Sequence, residues 1–97
     1  MRYVWDDAKR QSNLVKHGLD FEDADQVLDN PLKMEVDSER NSELRRQAFA
    51  DVLDVLAVLM VVYIPGKPMR IVSFRRASRQ ERRTYREWLE NNLDDDR

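Results

Sequence analysis

The stretch Met69-Arg70-Ile71-Val72-Ser73-Phe74-Arg75-Arg76-Ala77-Ser78-Arg79-Gln80-Glu81-Arg82-Arg83-Thr84-Tyr85 decides how this chain is read. Its first half alternates as a strand does, from about Arg70 to Arg75, with Ile71 and Ser73 opposite Arg70, Val72 and Phe74. Its second half opens on Ser78-Arg79-Gln80-Glu81, a capping-box spacing that predicts a helix from about Arg79 to Asn91. Between Lys67 and Arg86, eight basic residues (Lys67, Arg70, Arg75, Arg76, Arg79, Arg82, Arg83, Arg86) meet one acid, Glu81. The whole chain, with 17 basic and 19 acidic residues, has a net charge of -2, so the signs are segregated. Such segregation speaks to partners rather than to fold. A polyanion, RNA first of all, is one reading. A solvated helix face paired with acids elsewhere is the other.

Working outward, Pro65-Gly66-Lys67-Pro68 is a turn, which makes Val55 to Ile64 the antiparallel partner of the basic strand. Residues 43–62 could form one helix by composition. The β-branched Val52, Val55, Val58, Val61 and Val62, and the lack of a 3.6-residue face, favour two strands instead, Arg45 to Ala50 and Val55 to Ile64, with a turn at Asp51 to Asp54. At the start, Arg2 to Trp5 is a short strand or an extended lead-in. Asp6 caps a helix from Asp7 to His17, which Gly18 stops. Asp20 caps a second helix, Phe21 to Leu28, closed by Pro31. Leu32 to Val36 alternates as a strand, and Asp37 to Ser42 is turn-like.

These elements predict an α+β fold: a small twisted antiparallel sheet with two N-terminal helices and one C-terminal helix. Ninety-seven residues allow one domain, placed at 1–92 with an acidic C-terminal tail at 93–97. The absence of cysteine excludes disulfides, and one histidine leaves little for zinc, so no metal or cofactor is expected. The longest apolar run is about ten residues, below the roughly 20 of a membrane helix. With no signal-peptide pattern at the start, a cytoplasmic protein is expected.

Two groups carry candidate chemistry. Arg70, Arg75 and Arg76 lie on or after the strand, and Arg79, Arg82, Arg83 and Arg86 along one side of the helix; arginine's planar fork suits phosphate. On the first helix, Lys9, Asn13, Lys16 and His17 share a face at spacings of three and four. A histidine there suits proton transfer, or simply a helix C-terminus. Tyr63 and Tyr85 are stacking or proton-transfer candidates, or core anchors. Ser73 lacks a nucleophile elbow.

Taken together, Val4-Trp5-Asp6-Asp7-x-Lys9, Asn13, Lys16-His17-Gly18, Phe21-Glu22-x-Ala24, Asp29-x-Pro31, Glu43-x-Arg45, Arg70-Ile71-Val72-Ser73-x-Arg75-x-Ala77, Glu81-Arg82 and Tyr85 resemble the BrnT toxin family of type II toxin–antitoxin modules. The chain departs from the family pattern at Ala50 or Asp54, where glycine is usual, and at Phe74, where a small residue is usual. The resemblance implies a RelE-like ribonuclease fold and a growth-arresting, metal-independent endoribonuclease. Its partners would be an RNA substrate and a BrnA-like ribbon-helix-helix antitoxin, with operator DNA contacted only through that antitoxin, as a homodimer or a hetero-oligomer. The positions that carry over are Lys9, His17, Arg70, Arg75, Glu81, Arg82 and Tyr85. The expected catalytic set is Lys9, His17, Arg70, Arg75, Arg82 and Tyr85, with Arg76, Arg79, Arg83 and Arg86 binding RNA. Two other readings remain: a non-catalytic module whose basic corner docks an acidic partner or acts as co-repressor, and a DNA-binding regulator, for which no helix-turn-helix spacing is visible.

Overall fold

The hairpin around Pro65 to Pro68 forms as the turn chemistry requires, pairing β4 (Ala57–Ile64) with β5 (Met69–Arg76). The structure is a computed structural model and describes residues 3–94. β3 (Glu43–Val52) adds to the other side of β4, and β2 (Met34–Arg40) to β3, all antiparallel. β1 (Tyr3–Trp5) lies on the remaining edge of β5, Tyr3 opposite Met69 and Trp5 opposite Ile71, and runs parallel to it. The five-stranded sheet, in the order β1-β5-β4-β3-β2, is therefore mixed rather than antiparallel throughout. Pairing a three-residue strand with residues 66 positions away leaves no local signal of direction.

Both faces of the sheet are covered, which is why Val58 to Val61 is apolar without alternation. On one face Ala48, Ala50, Leu59, Val61, Ile71 and Phe74 pack against Phe21, Ala24, Val27 and Leu28. On the other, Met34, Phe49, Val58 and Met60 pack with Ala77, Tyr85, Trp88 and Leu89, which come from α3 (Arg79–Asp94) and the turn before it. The stripe predicted on the last helix is thus its buried side. The tail from Asp95 onward, like Arg2, lies outside the described residues.

Helix α1 (Asp7–His17) has the predicted bounds. The Asp6 carboxylate accepts from Ala8 N at 2.9 Å, and Gly18 closes the helix in the left-handed region at φ 68°. It buries almost no apolar surface, since Leu14 is exposed and Val15 is 88 % exposed. Polar contacts hold it instead. Asn13, 7 % exposed, donates from Nδ2 to Phe74 O at 2.7 Å and to Leu19 O at 3.0 Å, while Phe74 N donates to Asn13 Oδ1 at 3.1 Å. Arg10 donates to both carboxylate oxygens of Asp20 at 2.8 and 3.0 Å, and its guanidinium lies 5.9 Å from the Trp5 ring centre. The second predicted helix is shorter and tighter than its pattern suggests: a 3-10 turn, Phe21–Asp23, capped by the Asp20 carboxylate on Glu22 N, leads into a four-residue helix α2 (Asp25–Leu28).

Three further differences have local causes. The polar segment after Val36 is strand up to Arg40, because cross-strand pairs such as Arg46 Nε to Asp37 Oδ1 at 2.8 Å hold it to β3. Its turn is only Asn41 and Ser42, both left-handed, with φ of 54° and 64°. The strand alternation predicted for β5 breaks at a bulge: Val62 pairs with Ser73 and Tyr63 with Ile71, leaving Val72 as the extra residue. Ile71 and Phe74 consequently face the same core, and Ser73 and Arg75 face the α3 side.

The Asn13 amide satisfies both backbone groups of Phe74 at the open edge of β5. Asn13→Ala should therefore lower unfolding free energy by about 2–4 kcal/mol, since two buried backbone groups lose their partner. Urea unfolding of the two proteins checks this, and a loss below about 1 kcal/mol would show that another group takes over the bonds.

Candidate functional site

The bulge places Val72 and Ser73 at the meeting point of two depressions. One, about 200 Å³, is walled by Lys9, Ser12, Asn13, Lys16 and His17 of α1 and floored by Val72 and Ser73. The other, about 480 Å³, is an open groove over the part of the sheet that α3 leaves bare. It is lined by Arg40, Arg45 and Arg75 against one acid, Glu39, with Gln47, Met60 and Val62, and again with Val72 and Ser73. The two share the bulge as common floor, so the α1 face and the β5 arginine form one basic surface. α1 packs along this edge of the sheet, against β5.

Arg75 is held rigidly within that surface. Its Nη1 and Nη2 donate to the two Glu81 oxygens at 2.9 and 3.0 Å, and Nη1 also reaches Arg76 O at 3.0 Å. Glu81 completes the capping box: it accepts from Ser78 N at 2.7 Å, and its own N–H donates to Ser78 Oγ at 3.1 Å. The hydrogen bonds from Arg75, and then from the Ser78 N–H, pull the Glu81 carboxyl down to about 2 against the resistance of burial. The same pairing raises the Arg75 guanidinium above its ordinary value. The one acid in the basic stretch thus fixes an arginine and starts the helix.

The remaining arginines go elsewhere. Arg76, Arg82 and Arg86 line a separate depression of about 290 Å³ beside Leu56, Ala57 and Val58. Arg86 lies 3.7 Å from Asp51. Arg70, Arg79 and Arg83 are exposed and form no ion pair among the described residues.

Tyr85 is placed in the core, 1 % exposed, donating to Leu32 O at 2.9 Å and accepting from Asp51 N at 3.4 Å. Its neighbouring cavity contains Asp51 and Asp54 and no lysine or arginine, the wrong sign for a polyanion. Tyr63 is buried too; its hydroxyl donates to Glu35, and burial, then that bond, push it up to about 12. Both hydroxyls are thus engaged within the protein. Arg45 lines the groove but stood outside the expected site, although Glu43-x-Arg45 is one of the motifs that carry the family resemblance. Among the described residues no three His, Asp or Glu side chains converge as a metal site, and no helix is long and apolar enough to cross a membrane.

A scan against protein families matches residues 5–81 to the family described as ribonuclease toxin, BrnT, of type II toxin–antitoxin system. The chain belongs to the BrnT family. A search of curated proteins found no match. The BrnT match begins at Trp5, the residue before the Asp6 cap of α1, and ends at Glu81, the acid that holds Arg75. It therefore spans both walls of the basic surface. As a BrnT-family toxin, the chain has an antitoxin partner and an RNA target implied by the family description.

The Glu81 pairing has an acid signature. Its carboxyl titrates at about 2 when folded against an ordinary 4.5, so its stabilisation is complete above 4.5 and is lost as pH falls toward 2. Glu81→Gln should flatten the acid limb of the stability profile across that window. Urea midpoints measured through it, wild type against variant, test this; parallel curves would refute it.

Proposed function

We propose that this chain is an endoribonuclease that cleaves RNA without a bound metal and arrests growth until an antitoxin of the BrnA kind, a ribbon-helix-helix protein, neutralises it. The observation that carries the reading is the continuity of the two basic depressions across Val72 and Ser73. The histidine and two lysines of α1 wall one depression, and Arg40, Arg45 and Arg75 line the other.

In this reading the 2′-oxygen of a ribose attacks the adjacent phosphorus and the P–O5′ bond breaks. The 2′-hydroxyl proton leaves to a base, and the departing 5′-oxygen takes a proton from an acid, giving a 2′,3′-cyclic phosphate and a free 5′-hydroxyl. His17 and Lys9 are assigned to the proton transfers, on the wall of the smaller depression. Arg75, oriented by Glu81, is assigned to the charge that develops on the phosphorane oxygens. Arg82 moves from the catalytic to the binding group: with Arg76 and Arg86 it lines the separate depression, which suits RNA flanking the cleaved bond. Arg70, Arg79 and Arg83 add exposed positive charge. Tyr85 is assigned a structural role, because its hydroxyl is committed to Leu32 and Asp51.

The interaction-module reading draws on the depression of Arg76, Arg82 and Arg86. There Leu56, 85 % exposed, lies beside three guanidiniums, a surface that fits an acidic amphipathic segment of the antitoxin. Operator DNA would then be reached only through that antitoxin, in a hetero-oligomer.

His17→Ala and Lys9→Ala should each cut the rate of RNA cleavage by purified protein by about 100- to 10,000-fold, the usual worth of a positioned acid or base. Tyr85→Phe, assayed while folded, should keep its activity, and a chelator should not abolish cleavage by the wild type. Intact cleavage and growth arrest in both the His17 and Lys9 variants would overturn the assignment. Binding of RNA with no product under any condition would favour the interaction module.

A further inference from the structure

We propose that Arg45 is the principal phosphate-binding residue of the groove, offering its Nε to a phosphodiester oxygen of single-stranded RNA. This deepens the ribonuclease reading and rests on it for the identity of the ligand. Arg45 sits on β3 two residues before Gln47, so both project from the side of the sheet where α3 packs. α3 does not reach that far, and Arg45 lines the groove together with Val62, Ser73 and Arg75.

Two observations single it out. Its side chain is only 19 % exposed, and its Nε is buried with no acceptor among the described residues, while Nη2 meets Glu43 Oε1 at 3.3 Å. Buried donors without partners are rare because desolvation is left uncompensated; turning the Arg45 side chain toward the groove would uncover Nε and bring it to an anionic oxygen, the acceptor it lacks. Arg75 cannot take that part as readily, since both of its terminal nitrogens are committed to Glu81. The division of labour is then a fixed positive charge at Arg75 and an unspent donor at Arg45.

The rest of the groove suits a nucleotide. Its volume, about 480 Å³, falls in the range of small-ligand sites. Met60 and Val62 provide an apolar floor for a base or ribose, and Gln47 and Ser73 provide neutral polar groups. The groove also runs into the depression of Lys9, Lys16 and His17, so a strand crossing the bulge meets cations on both sides. That continuity favours a polymer of phosphates over a carboxylate from a protein.

The test is binding of a short 2′-O-methyl oligoribonucleotide, which cannot be cleaved through its 2′-oxygen, followed by fluorescence anisotropy over a range of salt. Arg45→Gln should weaken binding by about tenfold and reduce the slope of log K against log salt by roughly 0.7, the release expected for one single-strand phosphate. Arg45→Lys, which keeps the charge and loses Nε, should keep the slope and lose affinity. Wild-type affinity and slope in Arg45→Gln would overturn the proposal. So would unchanged RNA binding with weakened binding of a polyglutamate peptide, which would assign Arg45 to a protein carboxylate. Should Arg45→Gln fail to fold by circular dichroism, wild-type affinity in Arg45→Lys would overturn it equally. A wild type that binds through Arg45 without cleaving RNA would refute the ribonuclease reading alone; one that cleaves RNA while Arg45→Gln binds normally would refute this proposal alone.

Discussion

One side chain amide sets the geometry on which the proposed site depends. Strand β1 ends at Trp5, opposite Ile71, while β5 continues to Arg76 with an open edge. At that edge Asn13 binds the N–H and the C=O of Phe74, much as a neighbouring strand would. A ladder is thereby finished by a helix side chain. The consequence is positional: Lys9 lies one turn before Asn13, and Lys16 and His17 one turn after, so anchoring Asn13 brings all three over Val72 and Ser73. α1 contributes little to the core, and its polar anchors read as scaffolding for the face it presents.

The bulge in β5 is the second half of that geometry. With regular alternation, Ile71 and Ser73 would share a face, and either Ser73 would enter the core or Ile71 would leave it. The extra residue at Val72 lets Ile71 and Phe74 both pack inward while Ser73 and Arg75 remain on the groove side. Bulges often re-aim side chains beside sites of chemistry, and here the bulge is the floor shared by both depressions. Glu81 then fixes Arg75 from the far side, through the same carboxylate that caps α3. Strand, connection and helix are locked by one acid in a stretch that otherwise repels itself.

The basic run, uniform in the sequence, is divided by the fold. Arg75 joins the groove with Arg45; Arg76, Arg82 and Arg86 surround a second depression; Arg70, Arg79 and Arg83 remain open to solvent. Adjacent residues Arg75 and Arg76 part company because they sit at the end of a strand, where side chains point to opposite faces. A count of charges therefore overstated how many arginines could act together. It also omitted Arg45, which lies 30 positions before Arg75 and is joined to it across β4.

By itself, the sequence determined whatever depends on neighbours a few residues apart. The caps at Asp6, Asp20 and Ser78, the stop at Gly18, the turn at Pro65 to Pro68 and the buried stripe of α3 all follow from local hydrogen bonding and periodicity. The motif order that marks the BrnT family was legible in the same way. Tertiary structure alone decided the parallel pairing of β1, the bulge, the burial of Tyr85 and the shared floor of two depressions, one walled by Lys9, Lys16 and His17 and the other lined by Arg45 and Arg75. Each of these joins groups far apart along the chain, where closure of the core and satisfaction of open backbone groups choose the partner and no short-range preference can.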